Sequence, residues 1–289
     1  MQITNHKLDG LRFKQAKWMG GVITPEIVVL HDTASRLDPL NAANYLADND
    51  AKVSVHFVLE RDGTITQQVQ TNRAAWHAGK STFQGRDGCN NFSVGIEIVN
   101  PGRMTRTKDG FARTWWGGLF DAEGGTVGEI EEVTTPEHGA GLWMAYTEEQ
   151  IEALLELLPA LFAGIPTLRD ITTHWYISPG RKVDTNPLFP LEHIRAKVLG
   201  RDDPADIAAE DASEPEAPYS YVEVETRGDN LNMRRWPSFN PNVLAAIPDG
   251  TPVPVLRRGM FGGREWLLVQ YGGREGWIVA RYAAPVTVS

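Results

Sequence analysis

The sequence predicts an α/β body with a central mixed β-sheet flanked by helices, followed by a small all-β domain. Three observations support this division. Short apolar runs alternate with helical patterns through residues 1–199, an acidic stretch rich in proline and alanine covers residues 200–218, and short strand patterns between Gly, Pro and Asp fill residues 219–289. The middle stretch has one large aliphatic residue, Ile207, and buries too little apolar surface to offset its ordering entropy. It is predicted to be a linker.

The first half of the body carries strand and hairpin signals. Residues 27–31 form an apolar run of strand length, and residues 41–48 fit a short helix. Residues 53–60 and 64–69 flank an Asp-Gly pair, which is a strong hairpin signal. Residues 93–99 form another apolar run. These elements predict the strands of the central sheet.

The clearest helix is predicted over residues 147–162. Thr147 and Gln150 have the spacing of a capping box. Apolar residues then recur at helical spacing at Ile151, Leu154, Leu155, Leu158 and Phe162. Pro159 is expected to kink the helix or end it early, because proline lacks a backbone N–H.

Residues 101–146 break this alternation. They hold many glycines and, without a clean period, the aromatic residues Phe111, Trp115, Trp116, Phe120 and Trp143. One interpretation is a surface insertion with its own small aromatic core. The other is a wall over a substrate groove, since aromatic faces suit sugar rings. The sequence leaves both open.

The tail domain is rich in short strand patterns. They cover residues 230–233, 243–247, 253–257, 266–270 and 276–279. Their spacing predicts a small β-barrel.

Composition limits the classes of function. The chain has 289 residues and a net charge of −9, which disfavours a nucleic-acid partner. The single cysteine, Cys89, excludes an internal disulfide framework. The N-terminal stretch has no apolar signal-peptide region, and no apolar run is long enough to cross a membrane. We therefore expect synthesis in the cytoplasm without a signal peptide, no membrane span and a monomer.

A loop with a Pro-Gly pair carries His174, Lys182 and Asp184, and His31 ends the first apolar run. Two histidines and a carboxylate are the ligands that a catalytic zinc takes from a protein, with a fourth position left for water. Either histidine alone is more often a structural residue, and Asp184 alone fits a turn or a helix cap. Lys182 is suited to stabilising an anionic transition state. The combination favours a zinc hydrolase.

Glu97 is the only charged residue in the apolar run 93–99. Burying an acidic side chain is costly unless it is paired or functional. One interpretation is an edge strand with a solvated face. We favour a general base, because the strand is too apolar for an edge.

The body resembles the zinc-dependent N-acetylmuramoyl-L-alanine amidases of the type-2 amidase and peptidoglycan-recognition superfamily. The matching stretches run in family order and are VVLH at 28–31, VHFVLERDGTI at 55–65, AWHAG at 75–79, FQGR at 83–86, CNNFSVGIE at 89–97 and SPGRKVD at 178–184. The resemblance covers residues 27–195 and is strongest to the branch with muropeptide-recycling amidases and some phage endolysins. It implies that the substrate is peptidoglycan or a muropeptide.

The resemblance also implies roles for single residues. It implies that zinc is held by His31, His174 and Asp184, and that Glu97 and Lys182 are catalytic. Trp76, His77 and Arg86 fall in stretches that line or support the peptide-binding groove. Some relatives have a catalytic tyrosine where this chain has Val55, which leaves the base role to Glu97.

The tail resembles a bacterial SH3-like domain, a class that often binds cell-wall peptides. The stretches that carry this resemblance are NLNMR at 230–234, PS at 237–238, IPDGT at 247–251, Trp266, GWI at 276–278 and Tyr282. Trp236 and Tyr282 fit either a binding groove or the barrel core, whereas Trp266 and Trp277 are predicted to be core.

We therefore expect a peptidoglycan amidase with a wall-binding tail, similar to a phage or prophage endolysin that acts on the cell wall after release at lysis. The first alternative is a cytoplasmic amidase that recycles soluble anhydro-muropeptides. The second, from another class, is a non-catalytic peptidoglycan-binding protein. A complete set of metal ligands disfavours the second alternative.

Overall fold

The computed structural model describes residues 1–122, 129–200, 220–235, 237, 243–261 and 264–286. The chain divides into two compact units, Met1–Leu199 and Gly200–Ser289. Of the predicted linker, residues 201–218 lie outside the described residues.

The first unit is built on a six-stranded mixed sheet. In spatial order its strands are β15 (Asp170–Thr173), β4 (Ile27–Asp32), β9 (Ser93–Ile98), β5 (Phe57–Leu59), β6 (Ile65–Gln67) and β3 (Arg12–Phe13). The first four run parallel, β6 is antiparallel to β5, and β3 is parallel to β6. Strand β4 is buried along its whole length. This explains its continuous apolar run, because parallel central strands are covered on both faces.

Apolar side chains pack on both faces of this sheet. One cluster joins Ile27 and Val29 of β4 to Phe83, Phe92 and Ile177. A separate cluster packs Val58 of β5, the register partner of Glu97, against Val55, Val99 and the first helix. The position occupied by tyrosine in some relatives, Val55, is thus part of the core.

Four helices among the described residues accompany the sheet. They are α1 (Asn41–Ala47), α2 (Glu148–Gly164), α3 (His174–Ile177) and α4 (Leu191–Leu199). The capping box before α2 is confirmed, since Thr147 and Gln150 bond reciprocally. Of the two effects predicted for Pro159, an early end of the helix does not occur, because α2 continues to Gly164. Leu157, Leu158 and Leu161 are fully buried around Pro159, and such packing outweighs local propensity.

The predicted hairpin is present, but its strands are shorter than expected. It consists of β5 and β6, and the Gly63 N–H closes the turn on the Glu60 carbonyl at 3.1 Å. Residues 53–56 are not a strand. The backbone N–H of Ser54 bonds instead to Trp76 O, and that of His56 bonds to Gly95 O.

The insertion at 101–146 contains two small sheets. Its strands are β10 (Thr105–Arg106), β11 (Phe111–Arg113), β12 (Leu119–Asp121), β13 (Ile130–Thr135) and β14 (Gly139–Met144). The first three form one antiparallel sheet and the last two form a hairpin. Met104, Ala112, Ile130, Leu142 and Met144 form a buried cluster. The insertion therefore has a small core of its own, and it is more aliphatic than the sequence suggested.

Two further strand pairs lie in the first unit. They are β1 (Ile3–Thr4) with β2 (Lys7–Leu8), and β7 (Thr82–Phe83) with β8 (Arg86–Asp87). A 3-10 turn at Cys89–Asn91 precedes β9.

The second unit contains one seven-stranded antiparallel sheet. In spatial order its strands are β18 (Val243–Pro248), β17 (Asn230–Arg234), β21 (Arg274–Val279), β20 (Arg264–Tyr271), β19 (Pro252–Phe261), β16 (Ser220–Val224) and β22 (Ala283–Val286). All five predicted strands are present. The prediction that Trp266 and Trp277 are core residues is confirmed, since both are buried with Val279. Tyr282 is exposed, and Trp236 lies outside the described residues.

Within the described part of the chain, no helix has the length and apolar character needed to span a membrane.

Candidate metal centre and active site

Three neighbouring parallel strands bring their carboxyl ends together at one edge of the main sheet. His31 of β4 is the register partner of Glu97 on β9. His174 follows directly after β15, whose Thr173 pairs with Leu30 of β4. Because neighbouring strands lie about 4.8 Å apart, residues in register on one face become neighbours. His174, His31 and Glu97 therefore form one row, in that order.

A carboxylate completes the row from a loop. The backbone N–H of Trp175 bonds to the Asp184 carbonyl at 2.7 Å, which holds this loop against the start of α3. Asp184 Oδ2 lies 2.9 Å from His174 Nδ1 and 3.2 Å from His31 Nδ1. The two Nδ1 atoms lie 2.8 Å apart. The structure thus brings together the three residues predicted to bind the metal, with their ligand atoms all within 4.8 Å of one another.

The second ring nitrogen of each histidine is also engaged. His174 Nε2 lies 3.2 Å from the Ala78 carbonyl, which accepts hydrogen bonds only, so this nitrogen carries the proton. His31 Nε2 lies 2.8 Å from His77 Nδ1. Arg181 supports the same loop by donating to the Ala78 carbonyl at 2.8 Å. Nδ1 of His174 is left with a free lone pair, as a metal ligand requires.

The electrostatics favour the ligand forms of these side chains. Burial lowers the pKa of His31 to about 4, and the adjacent His174 contributes in the same direction, so the ring is neutral near pH 7. Burial alone would raise the pKa of Asp184. The neighbouring His174 and His31 side chains overcome this effect and hold the pKa of Asp184 well below its usual range. Neutral imidazole and ionised carboxylate are the forms that bind a metal. Two histidines and one carboxylate, with one position open, fit a catalytic zinc.

Residues 22–187 match the family of N-acetylmuramoyl-L-alanine amidases known as Amidase_2. This match covers more than half of the chain. The chain belongs to this amidase family.

Several curated members of the family are similar to this chain. It is 32% identical over 164 residues to the 1,6-anhydro-N-acetylmuramyl-L-alanine amidase AmpD of Citrobacter freundii, covering 56% of this chain and 66% of the relative. It is 32% identical over 148 residues to AmpD of Salmonella typhimurium, covering 51% and 58%. The N-acetylmuramoyl-L-alanine amidase AmiD of Escherichia coli is 25% identical over 183 residues, covering 61% and 54%. The chain thus spans less than two thirds of the length of these relatives.

Solved structures of amidases also align with the chain. An AmpD crystal structure has a TM-score of 0.48 at 26% identity and covers 68% of this chain and 99% of that chain. The complex of E. coli AmiD with an anhydro-N-acetylmuramic acid tripeptide has a TM-score of 0.47 at 24% identity, with coverage of 73% and 71%.

Glu97 lies at the end of the row, on strand β9. Strand β9 is central, between β4 and β5, so the edge-strand interpretation is wrong. Glu97 Oε2 is buried and has no hydrogen-bond partner among the described residues. Burial, together with the charges of Asp184 and Asp32, raises the pKa of Glu97 to about 8, while Lys182 acts in the opposite direction. A carboxyl group that titrates near neutral pH beside a metal site is suited to proton transfer.

A buried hydrogen-bond network lies on the face of β4 opposite to His31 and was not predicted from the sequence. Asp32 is buried and accepts hydrogen bonds from the Tyr146 hydroxyl and, at 2.8 Å, from the backbone N–H of Asn186. Asn186 follows Asp184 by two residues, so this network holds the ligand loop. Burial raises the pKa of Asp32 to about 8, although both hydrogen bonds favour its charged form. The available signal in the sequence was Asp32 itself, a charged residue that continues an apolar strand.

The three predicted groove residues have different surroundings. Trp76 stacks on Trp18 with ring centroids 5.8 Å apart. Arg86 pairs with Glu26 at 2.5 Å, and its guanidinium lies 4.0 Å from the centroid of the Phe92 ring. His77 contacts His31, as described above. A groove role for these residues stays a prediction.

Proposed function

We propose that this chain is a zinc-dependent amidase that hydrolyses the bond between the lactyl group of N-acetylmuramic acid and L-alanine. The observation that carries this proposal is the row of His174, His31 and Glu97, closed by Asp184. Family membership supports the reaction class. A carboxyl group with a buried, unpartnered oxygen beside three candidate metal ligands favours a catalytic site over a binding protein without catalysis.

His31, His174 and Asp184 would hold the zinc, which when bound supplies Lewis acidity to the scissile carbonyl and activates water. Glu97 accepts the proton of the attacking water and delivers it to the leaving amine of L-alanine. Lys182 lies near enough to lower the pKa values of Glu97 and His31. Its positive charge stabilises the negative charge that develops on the carbonyl oxygen.

We propose that the sugar part of the substrate contacts the insertion at residues 101–146. The turn at 114–118 presents Trp115, whose ring is 76% exposed. Its indole N–H donates to the Ala34 carbonyl at 2.6 Å. Ala34 lies three residues beyond His31, so its Cα is at most about 11 Å from the Cα of that ligand. An exposed aromatic face fixed at this place is suited to a sugar ring.

We propose the cell-wall polymer as the main substrate and the second unit as an SH3-like domain that binds the wall. The seven-stranded sheet of this unit supports an SH3-like assignment. Action on the wall after release at lysis belongs to the same proposal. The second candidate is hydrolysis of soluble anhydro-muropeptides, which is favoured by the names of the AmpD relatives.

Digestion of purified peptidoglycan and of soluble anhydro-muropeptides tests these proposals. The zinc-loaded and the chelated protein are compared, and the products are read by mass spectrometry. Free stem peptides beginning with L-alanine, lost on chelation and restored by zinc, are expected from the polymer. Cleavage of the soluble substrate alone would move the assignment to the second candidate. Cleavage of neither substrate would overturn the amidase proposal.

A further inference from the structure

His77 lies directly behind the proposed zinc ligand His31. The two rings meet edge to face, with centroids 4.9 Å apart and planes at 84°. His31 directs Nδ1 toward His174 and Asp184, and Nε2 toward His77 Nδ1 at 2.8 Å. The proton in this contact belongs to one of the two rings, and its position decides whether His31 can present a lone pair to a metal.

The hydrogen bonds of Ser93, on the other side of the His77 ring, fix the position of that proton. Ser93 Oγ lies 2.6 Å from the Cys89 carbonyl, which can only accept, so the Ser93 hydroxyl donates there. Ser93 has no second proton and must accept from His77 Nε2, 3.2 Å away. With its proton on Nε2, His77 accepts at Nδ1, and His31 donates from Nε2.

The His77 ring fits against the main sheet because residue 95 is a glycine without a side chain. A Cβ on Gly95 would lie 2.6 Å from His77 Cγ and 2.7 Å from Nδ1, both far inside van der Waals contact. Gly95 and Glu97 lie on the same face of β9, and Gly95 is the register partner of Val29. The backbone of His77 is also held, because Asn90 Oδ1 accepts from the N–H groups of His77 and Ala78. Position and proton direction are therefore both set.

We infer that His77 is a positioning residue that fixes His31 in the tautomer whose Nδ1 faces the metal. This inference rests on the proposed zinc site and differs from the groove role predicted from the sequence. A partner that orients a ligating histidine commonly contributes about 10–100-fold in metal affinity. No contact between His77 and substrate is needed.

The test measures zinc affinity of the full-length protein by competition with a chromophoric chelator. His77→Leu removes the acceptor, and we expect about 10–100-fold weaker zinc binding. His77→Asn places an amide oxygen near the position of Nδ1 and should recover most of this loss. With saturating zinc, the KM of His77→Leu for a muropeptide should equal that of the wild type.

A spectroscopic readout checks the tautomer directly. Nitrogen-15 NMR of the metal-free wild type should show the His31 proton on Nε2, and His77→Leu should show a mixture. If His77→Leu does not fold, Ser93→Ala replaces it, because Ser93 acts on His31 only through its hydrogen bond to His77. Ser93→Ala is expected to weaken zinc binding several-fold, within the range for outer partners.

Unchanged zinc affinity in the His77→Leu protein, or in Ser93→Ala where that variant replaces it, overturns the inference and leaves the amidase proposal intact. A raised KM with unchanged zinc affinity overturns it in favour of the groove role. Absence of zinc binding by the wild-type protein overturns both proposals together.

Discussion

The row at the strand ends and the hairpin tip at residues 114–118, which carries Trp115, are linked through Ala34, yet different forces fix them. The row is set by the register of three parallel strands, in which His31 and Glu97 are paired and His174 directly follows a paired residue. The tip is exposed and anchored to Ala34 by one indole hydrogen bond. The proposed reaction chemistry thus lies on paired strands, and the proposed sugar contact lies on an exposed turn. Changes in the row should therefore affect turnover, and changes at the tip should affect KM.

The largest effect is expected from removing a ligand. In His174→Ala, zinc affinity should fall by more than the roughly 100-fold that outer partners contribute, and activity should fall to background. Metal content and peptide release are measured together. His6→Asn is the matched control, because His6 is exposed and has a positive φ that asparagine tolerates. Stoichiometric zinc and normal activity in His174→Ala would contradict the ligand assignment.

Glu97→Gln should separate metal binding from proton transfer. The variant keeps the shape of the side chain but removes the base, so kcat should fall about 10²–10⁴-fold while zinc remains bound. Single-turnover kinetics with zinc-saturated protein measure this change. Glu223→Gln, an exposed position in the second unit, should leave kcat unchanged. Near-normal turnover in Glu97→Gln would remove Glu97 from the mechanism.

The pKa of Glu97 also predicts a pH dependence for the metal-free protein. Its folded-state pKa of about 8 exceeds the ordinary value of 4.5, so its stabilising contribution is complete below pH 4.5 and is lost as the pH rises through 8. Relative to the wild type, Glu97→Gln should gain up to about 1.4 kcal/mol of unfolding free energy per pH unit over this window. Urea unfolding in chelator measures the difference. A difference that does not grow with pH would show that Glu97 is not desolvated.

How much of this arrangement is visible in the sequence depends on the distance between the interacting residues. The capping box of Thr147 and Gln150 is local and was predicted correctly. The proposed metal ligands could be named from the sequence because His174 and Asp184 share one loop and the motifs resemble a family. The contact of Asp32 with Tyr146 spans 114 positions and has no local signature. The same holds for His77, whose role depends on the space left by Gly95 in another element.

A smaller effect, on stability, is expected where Tyr146 at the end of the insertion contacts Asp32 of β4. Tyr146→Phe removes the hydroxyl that donates to buried Asp32, so one carboxyl oxygen loses its partner. Loss of a partner to a buried polar group costs about 1–3 kcal/mol. Urea unfolding should show this loss, with Tyr45→Phe as the control because Tyr45 is 54% exposed. Equal stabilities of the two variants would show that the Asp32 network does not hold the ligand loop.

The smallest change in stability is expected at the hairpin tip. Trp115→Ala removes one hydrogen bond from an exposed ring and should cost about 0.5–1.5 kcal/mol of unfolding free energy or less. If the ring contacts the sugar, KM for a glycan-bearing muropeptide should rise about three- to tenfold with kcat unchanged, since aromatic contacts contribute about 0.5–1.5 kcal/mol. Trp116→Ala is the control. The Trp116 ring packs against Gly118 of its own turn, where a Cβ would lie 2.7 Å from its indole nitrogen, so its loss should reduce stability more. An unchanged KM in Trp115→Ala would make the insertion a surface element with its own core, and the groove wall would have to be sought elsewhere.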